Sequence, residues 1–78
     1  MDAAKLVTMA NDIAAFFESD PDPQAASEGI ASHLRRFWDP RMRRELLRHI
    51  DAHAGAGCSP AVLSAVAAHR ASLTPPPA

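Results

Sequence analysis

Scarcity is the first property of this chain: one cysteine, three glycines, four aromatic residues, and no apolar run approaching the length of a membrane span. A lone thiol, Cys58, cannot close an internal disulfide, so a disulfide framework is excluded and nothing points to an oxidising compartment. Asp2 precedes the only early lysine and Asp12 interrupts the first apolar stretch, which is the wrong pattern for a signal peptide. A cytoplasmic location with no membrane partner is the expectation. Glycine is too sparse for a phosphate loop: the Gly55-Ala56-Gly57 triplet has neither a strand before it nor a lysine after it, and reads as helix termination. Large apolar side chains are also few, because alanine inflates the 47% hydrophobic content. At 78 residues the chain forms one small domain near the lower size limit for a self-sufficient core, and a partner is expected to complete its stability.

What is present is unevenly placed. Residues 1–28 hold six acids and one lysine, whereas residues 29–50 hold six arginines and two acids, on a chain whose net charge is only −1. The six arginines are Arg35, Arg36, Arg41, Arg43, Arg44 and Arg48, and they surround the single tryptophan, Trp38, in the segment LRRFWDPRMRRELL. A cluster of this kind on a nearly neutral chain calls for more than solubility.

Punctuation is legible throughout. Asp22-Pro23, Asp39-Pro40 and Ser59-Pro60 each set a capping side chain before a proline suited to the first helical position. Helical spacing of apolar residues predicts four helices, over about 3–18 (Leu6, Met9, Ala10, Ile13, Phe16, Phe17), 23–37 (Ala26, Ile30, His33, Leu34, Phe37), 40–54 (Met42, Leu46, His49, Ile50, His53) and 60–72 (Val62, Val66, His69, with Leu73 beyond). No segment alternates as a strand would. The expected fold is all-α, a small bundle of about four short amphipathic helices. Its single domain spans residues 1–73, and a proline-rich tail, residues 74–78, cannot continue a helix and is expected to be disordered.

On the third helix, about 100° per residue sets Arg44, Arg48 and Asp51 opposite the Met42–Leu46–Ile50 stripe, with Arg41 and Arg43 on the flanks. One reading is a solvated face on which Glu45 pairs with nearby arginines at i+3 or i+4. The other is a docking surface. In this window every base is arginine and none is lysine, which suits bidentate recognition of carboxylate or phosphate. Tryptophan and arginine are also the residues enriched at interface hot spots. Trp38 itself either joins that surface or packs in the core behind Phe37. The candidate partner interface is Arg35, Arg36, Phe37, Trp38, Arg41, Arg43, Arg44 and Arg48. Nucleic acid is a weaker candidate partner, since an isoelectric point near 6.4 and an acidic first third oppose a phosphate backbone.

Other chemistry has thinner support. His49 and His53 stand one turn apart, and a bundle could bring His33 or His69 to them, yet no HExxH motif or carboxylate accompanies the pair. Cys58 precedes the Ser59 cap, where a helix terminus favours a thiolate, but no base is assured near it, and packing is the commoner role. Asp20 and Asp22 lie in a proline-containing linker and not in a cleft. No catalytic, cofactor-binding or metal-ligating residue is therefore assigned. Leu47 and Leu63 are expected to leave an exposed apolar edge; the free chain could dimerise through it in place of its partner, and the sequence leaves its oligomeric state open.

The blocks KLVTMANDIAAFF (5–17), EGIASHLRRFWDPRMRRELL (28–47) and GAGCSPAV (55–62), in this order and spacing, resemble the small delta subunit of cytosolic NAD-dependent, molybdenum-containing formate dehydrogenases. The resemblance runs over roughly residues 5–70, and FWDPRM is its most specific part. It departs at Cys58, where the family pattern carries an aliphatic residue, and this favours a packing role for the thiol. The resemblance implies a non-catalytic accessory subunit whose partners are the catalytic and electron-transfer subunits. Those chains carry the molybdenum cofactor, iron–sulfur clusters, FMN and NAD, and none of these groups falls to a chain with one cysteine. It leaves open whether the task is stabilising the assembled enzyme or assisting insertion of the molybdenum cofactor.

Overall fold

Four side-chain caps begin the long helices. In the computed structural model, which describes residues 2–77, the Asp2 carboxylate accepts from the Ala4 N–H and opens α1 (Ala3–Phe17). Asp22 accepts from Gln24 ahead of α2 (Pro23–Phe37), and Asp39 accepts from both Arg41 and Met42 ahead of α3 (Pro40–His53). The Ser59 hydroxyl accepts from Val62 ahead of α4 (Pro60–Ala68). Each cap satisfies N–H groups that a helix start leaves without an intrahelical partner, a gain of about 1 kcal/mol apiece. The three Asp/Ser-Pro starts are those expected from sequence; the Asp2 cap was not. Among the described residues there is no strand, and the protein is an all-α bundle.

The core is built from small and branched residues. Leu6, Val7, Ala10 and Ala14 of α1 meet Ile30, Ala31 and Leu34 of α2, Leu46 and Leu47 of α3, and Val62, Ala65 and Val66 of α4. α2 is the central element and packs most extensively on α4 and α1, whereas α3 rests chiefly on α1. Fully covered alanines (Ala10, Ala14 and Ala65 are all at 0% exposure) let the helix axes approach closely. Gly29 does the same at one point: a Cβ there would stand 2.5 Å from the Phe17 ring, so glycine is what allows Phe17 to lie across α2.

The turn after α3 reverses the chain in a tight space. Ala54, Gly55 and Gly57 all have positive φ (54°, 71° and 84°), and the buried Gly55 lies so close to Leu63 that a Cβ would stand 2.5 Å from its Cδ2. Asn11 on α1 pins this turn from below. Its Nδ2 donates to the Gly57 carbonyl at 2.9 Å, and its Oδ1 accepts from the Ser59 N–H at 2.8 Å.

One boundary differs from expectation. The last helix does not run unbroken from 60 to 72. It stops at Ala68, passes through His69 at φ −122°, ψ 25°, and resumes as the single turn α5 (Arg70–Leu73). Across the break Arg70 forms a two-pronged bond to the Asp51 carboxylate on α3, one contact measuring 2.9 Å, and Leu73 enters the core at 2% exposure. Beyond Leu73 the chain is not helical, yet Pro75 is buried, while Met1 and Ala78 lie outside the described residues.

Candidate docking surface

The structure separates the candidate interface residues into three groups. Arg35, Arg36, Arg41, Arg44 and Arg48 are exposed. For Arg41, Arg44 and Arg48 this follows from α3 resting on α1 through its Leu46–Leu47 side, which turns the opposite side to solvent, whereas Arg35 and Arg36 lie in the last turn of α2. Trp38, by contrast, is 6% exposed and belongs to the core. Of the two readings of Trp38, core packing is the one the fold adopts: α2 ends at Phe37, and the extended backbone of residue 38 (ψ 135°) swings the indole inward. Arg43 is the third case. It is half-buried, and its Nε is closed off from solvent with no hydrogen-bond partner among the described residues.

Among the exposed arginines, neutralisation is selective. Arg48 grips Glu45 through both Nε (3.0 Å) and Nη2 (2.7 Å), the i,i+3 pairing anticipated for this helix. Arg41, Arg44, Glu45 and Arg48 line one shallow open depression on the outer side of α3. At the far end of the helix, the hydrogen bond from Arg70 holds the Asp51 carboxyl below its usual value, and Asp51 in turn raises Arg70. The depression therefore presents guanidinium groups of Arg41 and Arg44 that form no ion pair among the described residues. Such groups fit carboxylate or phosphate in bidentate geometry.

A second feature is apolar. Phe37 is 69% exposed and Phe16 74%, with Met9 at 42% beside the same helix face. Their rings are part of a continuous ladder: Phe16 meets Phe17 edge-on at 5.2 Å between centroids, Phe17 meets His33 at 6.4 Å, and His33 meets Phe37 at 4.8 Å. Asp12, Ile13, Phe16, Phe17 and His33 line the depression alongside. Of the ladder, only Phe37 is identified from sequence as an interface residue. The available signal is the Phe16-Phe17 doublet, since adjacent helical residues diverge by 100° and two bulky rings side by side are hard to bury equally.

The remaining candidates resolve into structural roles. The His49 and His53 rings lie tilted to each other with centroids 5.3 Å apart, but His49 Nε2 lies 2.8 Å from the Ala56 carbonyl, which ties that imidazole to the turn. Among the described residues no group of three or more His, Cys, Asp or Glu converges as metal ligands would. Cys58 is half-buried against the core, and burial pushes its thiol pKa up, away from a reactive thiolate. The apolar edge expected from Leu47 and Leu63 does not form. Leu47 is buried at 6% exposure, and Leu63 is half-buried over Gly55. Among the described residues, no helix is long and apolar enough to cross a membrane.

Comparison with protein families matches residues 5–66 to FdsD, the delta subunit of NADH-dependent formate dehydrogenase. The chain belongs to the FdsD family. The match covers most of α1, all of α2 and α3 and most of α4, so that the Asp22, Asp39 and Ser59 caps, the arginine face and the aromatic ladder lie inside the family's extent. No curated protein and no solved structure matches the chain. FdsD membership places the protein with a subunit of a formate dehydrogenase complex and agrees with the resemblance seen in the FWDPRM block.

Proposed function

We propose that this FdsD-family chain is a non-catalytic accessory subunit that supports assembly or stability of an NADH-dependent formate dehydrogenase by docking on its catalytic subunit in the cytoplasm. The observation that carries the reading is the family match over residues 5–66. The arginine face supports it, because Arg41 and Arg44 stand exposed without an ion-pair partner among the described residues and suit an acidic patch on another protein. Arg35, Arg36, Arg48 and Phe37 extend the same surface. Trp38 shapes it from beneath, and Arg43 contributes through its half-buried stem. In this reading residues 1–73 form the docking domain with 74–78 as its tail. The molybdenum cofactor, iron–sulfur clusters, FMN and NAD are held by the partner chains, and this chain binds none of them.

The test is charge reversal of the two exposed arginines, Arg41→Glu with Arg44→Glu, in a tagged chain expressed beside the enzyme. Co-purification of the large subunits should be lost while the helical circular dichroism of the isolated chain stays unchanged. Undiminished co-purification would sink the proposal.

The depression shared by Arg41, Arg44 and Arg48 favours a second reading, in which these guanidinium groups hold the phosphates of the molybdenum cofactor during its insertion. Stoichiometry separates the two. A structural subunit is recovered once per catalytic subunit after stringent purification, whereas a maturation factor is depleted as the enzyme becomes loaded.

A further inference from the structure

Three of the four aromatic residues of this chain stand in one surface ladder, and two of them, Phe16 and Phe37, are more than two-thirds exposed. A domain with so few large apolar side chains gains nothing by presenting them to water, and contiguous exposed apolar surface of this kind marks an interaction site. The ladder is also held in place. Phe17 lies over Gly29, where no other residue leaves room for the ring, and His33 bridges Phe17 to Phe37 across α1 and α2.

We propose that the Phe16–Phe17–His33–Phe37 ladder is the apolar anchor of the interface with the catalytic subunit, and that the arginine face is the polar rim of that same interface. The inference rests on the accessory-subunit reading above and adds to it the residues that supply the binding energy. Two arguments commit the surface to this occupant. The first is continuity: Arg41 follows Phe37 by four positions, so their Cα atoms lie within roughly 14 Å of each other whatever path the turn takes. An apolar centre bordered by charge is the ordinary anatomy of a protein–protein interface, and on a protein partner the groups complementary to the unpaired guanidinium groups at its border are carboxylates. The partner surface is accordingly an apolar cleft flanked by Asp or Glu. The second argument is area. The two exposed rings offer roughly 300 Å², well short of the approximately 800 Å² per partner that a stable complex needs. Two copies apposed through the ladder alone would thus fall short, and apposing more of the surface would bring like-charged arginine rims together.

The experiment is to replace Phe16→Gln and Phe37→Gln together in the tagged chain, and separately to place a photo-crosslinking amino acid at position 37 or, as a control on another face, at exposed Ala67. Both phenylalanines are exposed, so circular dichroism and melting of the isolated chain should match wild type. Recovery of the catalytic subunit should fall at least tenfold, and position 37 should crosslink to that subunit while position 67 does not. Wild-type recovery by the double variant, or crosslinking from position 37 to a second copy of this chain, would overturn the ladder as anchor and leave the accessory-subunit reading standing. Failure of the wild-type chain to recover any formate dehydrogenase subunit would overturn both.

Discussion

The arginine face of α3 and the aromatic ladder of α1 and α2 meet near the Phe37–Arg41 turn, yet they differ in what they ask of the isolated chain. An exposed guanidinium is well solvated, and the pairs that do form, Arg48 with Glu45 and Arg70 with Asp51, are exposed or nearly so and contribute little to folding. The ladder is the costlier surface, because apolar rings left in water forgo the burial energy that a small core needs. In the proposed interface, a domain of 78 residues that nonetheless exposes Phe16 and Phe37 commits part of its limited apolar content to a surface that is covered in the complex. Under that proposal charge serves orientation and rate of encounter, and aromatic area serves affinity.

The sharpest way to break that comparison uses the neighbours Phe37 and Trp38. Trp38→Ala removes a core side chain and should cost about 3–5 kcal/mol, enough to unfold most of the isolated chain at ambient temperature, as read by chemical denaturation. Phe37→Ala should change stability by less than about 0.5 kcal/mol while weakening the complex. Equal destabilisation by the two would mean that Phe37 is a core residue and the ladder is not a surface.

A smaller effect is expected from Gly29→Ala. Helix propensity favours alanine by about 1 kcal/mol, but the new Cβ would stand 2.5 Å from the Phe17 ring and would have to displace it. The overpacking should win, with a net loss of about 1–2 kcal/mol, together with altered chemical shifts at Phe16 and His33 as the ladder moves. A gain in stability would show that Phe17 yields freely and that the ladder is not held in place.

Asn11→Ala should lie in the same range or slightly below. It strips the partners from the Gly57 carbonyl and the Ser59 N–H, which lie at or near the surface, a loss of about 0.5–1.5 kcal/mol, felt first as faster hydrogen exchange in the turn between α3 and α4. Neither surface should change its binding. Loss of docking in this variant would tie the turn to the interface.

The smallest effect belongs to the arginine side. The folded pKa of Asp51 is lowered by Arg70, so the stability it lends is present above the ordinary carboxylate range and disappears as pH falls through its folded value. The melting temperature of wild type should therefore exceed that of Arg70→Gln slightly at neutral pH, and the two should converge on acidification. A difference that persists at low pH would indicate that Arg70 acts by packing.

Much of this architecture was legible before any coordinates. Asp22, Asp39 and Ser59 cap helices where their prolines said they would, because a cap is a contact within one turn of chain and needs no tertiary partner. The Arg48–Glu45 pair was legible for the same reason. Three features were not. The Phe37-Trp38 doublet could not be divided into surface and core by periodicity, since the helix ends between them. Leu47 sits beside the apolar stripe of α3, and only the way α3 lies on α1 covers it. The break at His69 accompanies a long-range bond, Arg70 to Asp51, that joins residues nineteen apart.

The sequence by itself determined the helices, their caps, the turn glycines and the concentration of arginine on α3, because each depends on neighbours within a few residues and on a fixed helical pitch. Tertiary structure alone decided that Trp38 goes inward, that Arg43 is half-buried while Arg41 and Arg44 stay free, and that Phe16, Phe17, His33 and Phe37 join into one ladder. Those outcomes depend on the crossing of α1 over α2 and of α3 over α1, where burial of the available apolar area, and not local propensity, chooses which side of each helix the solvent sees.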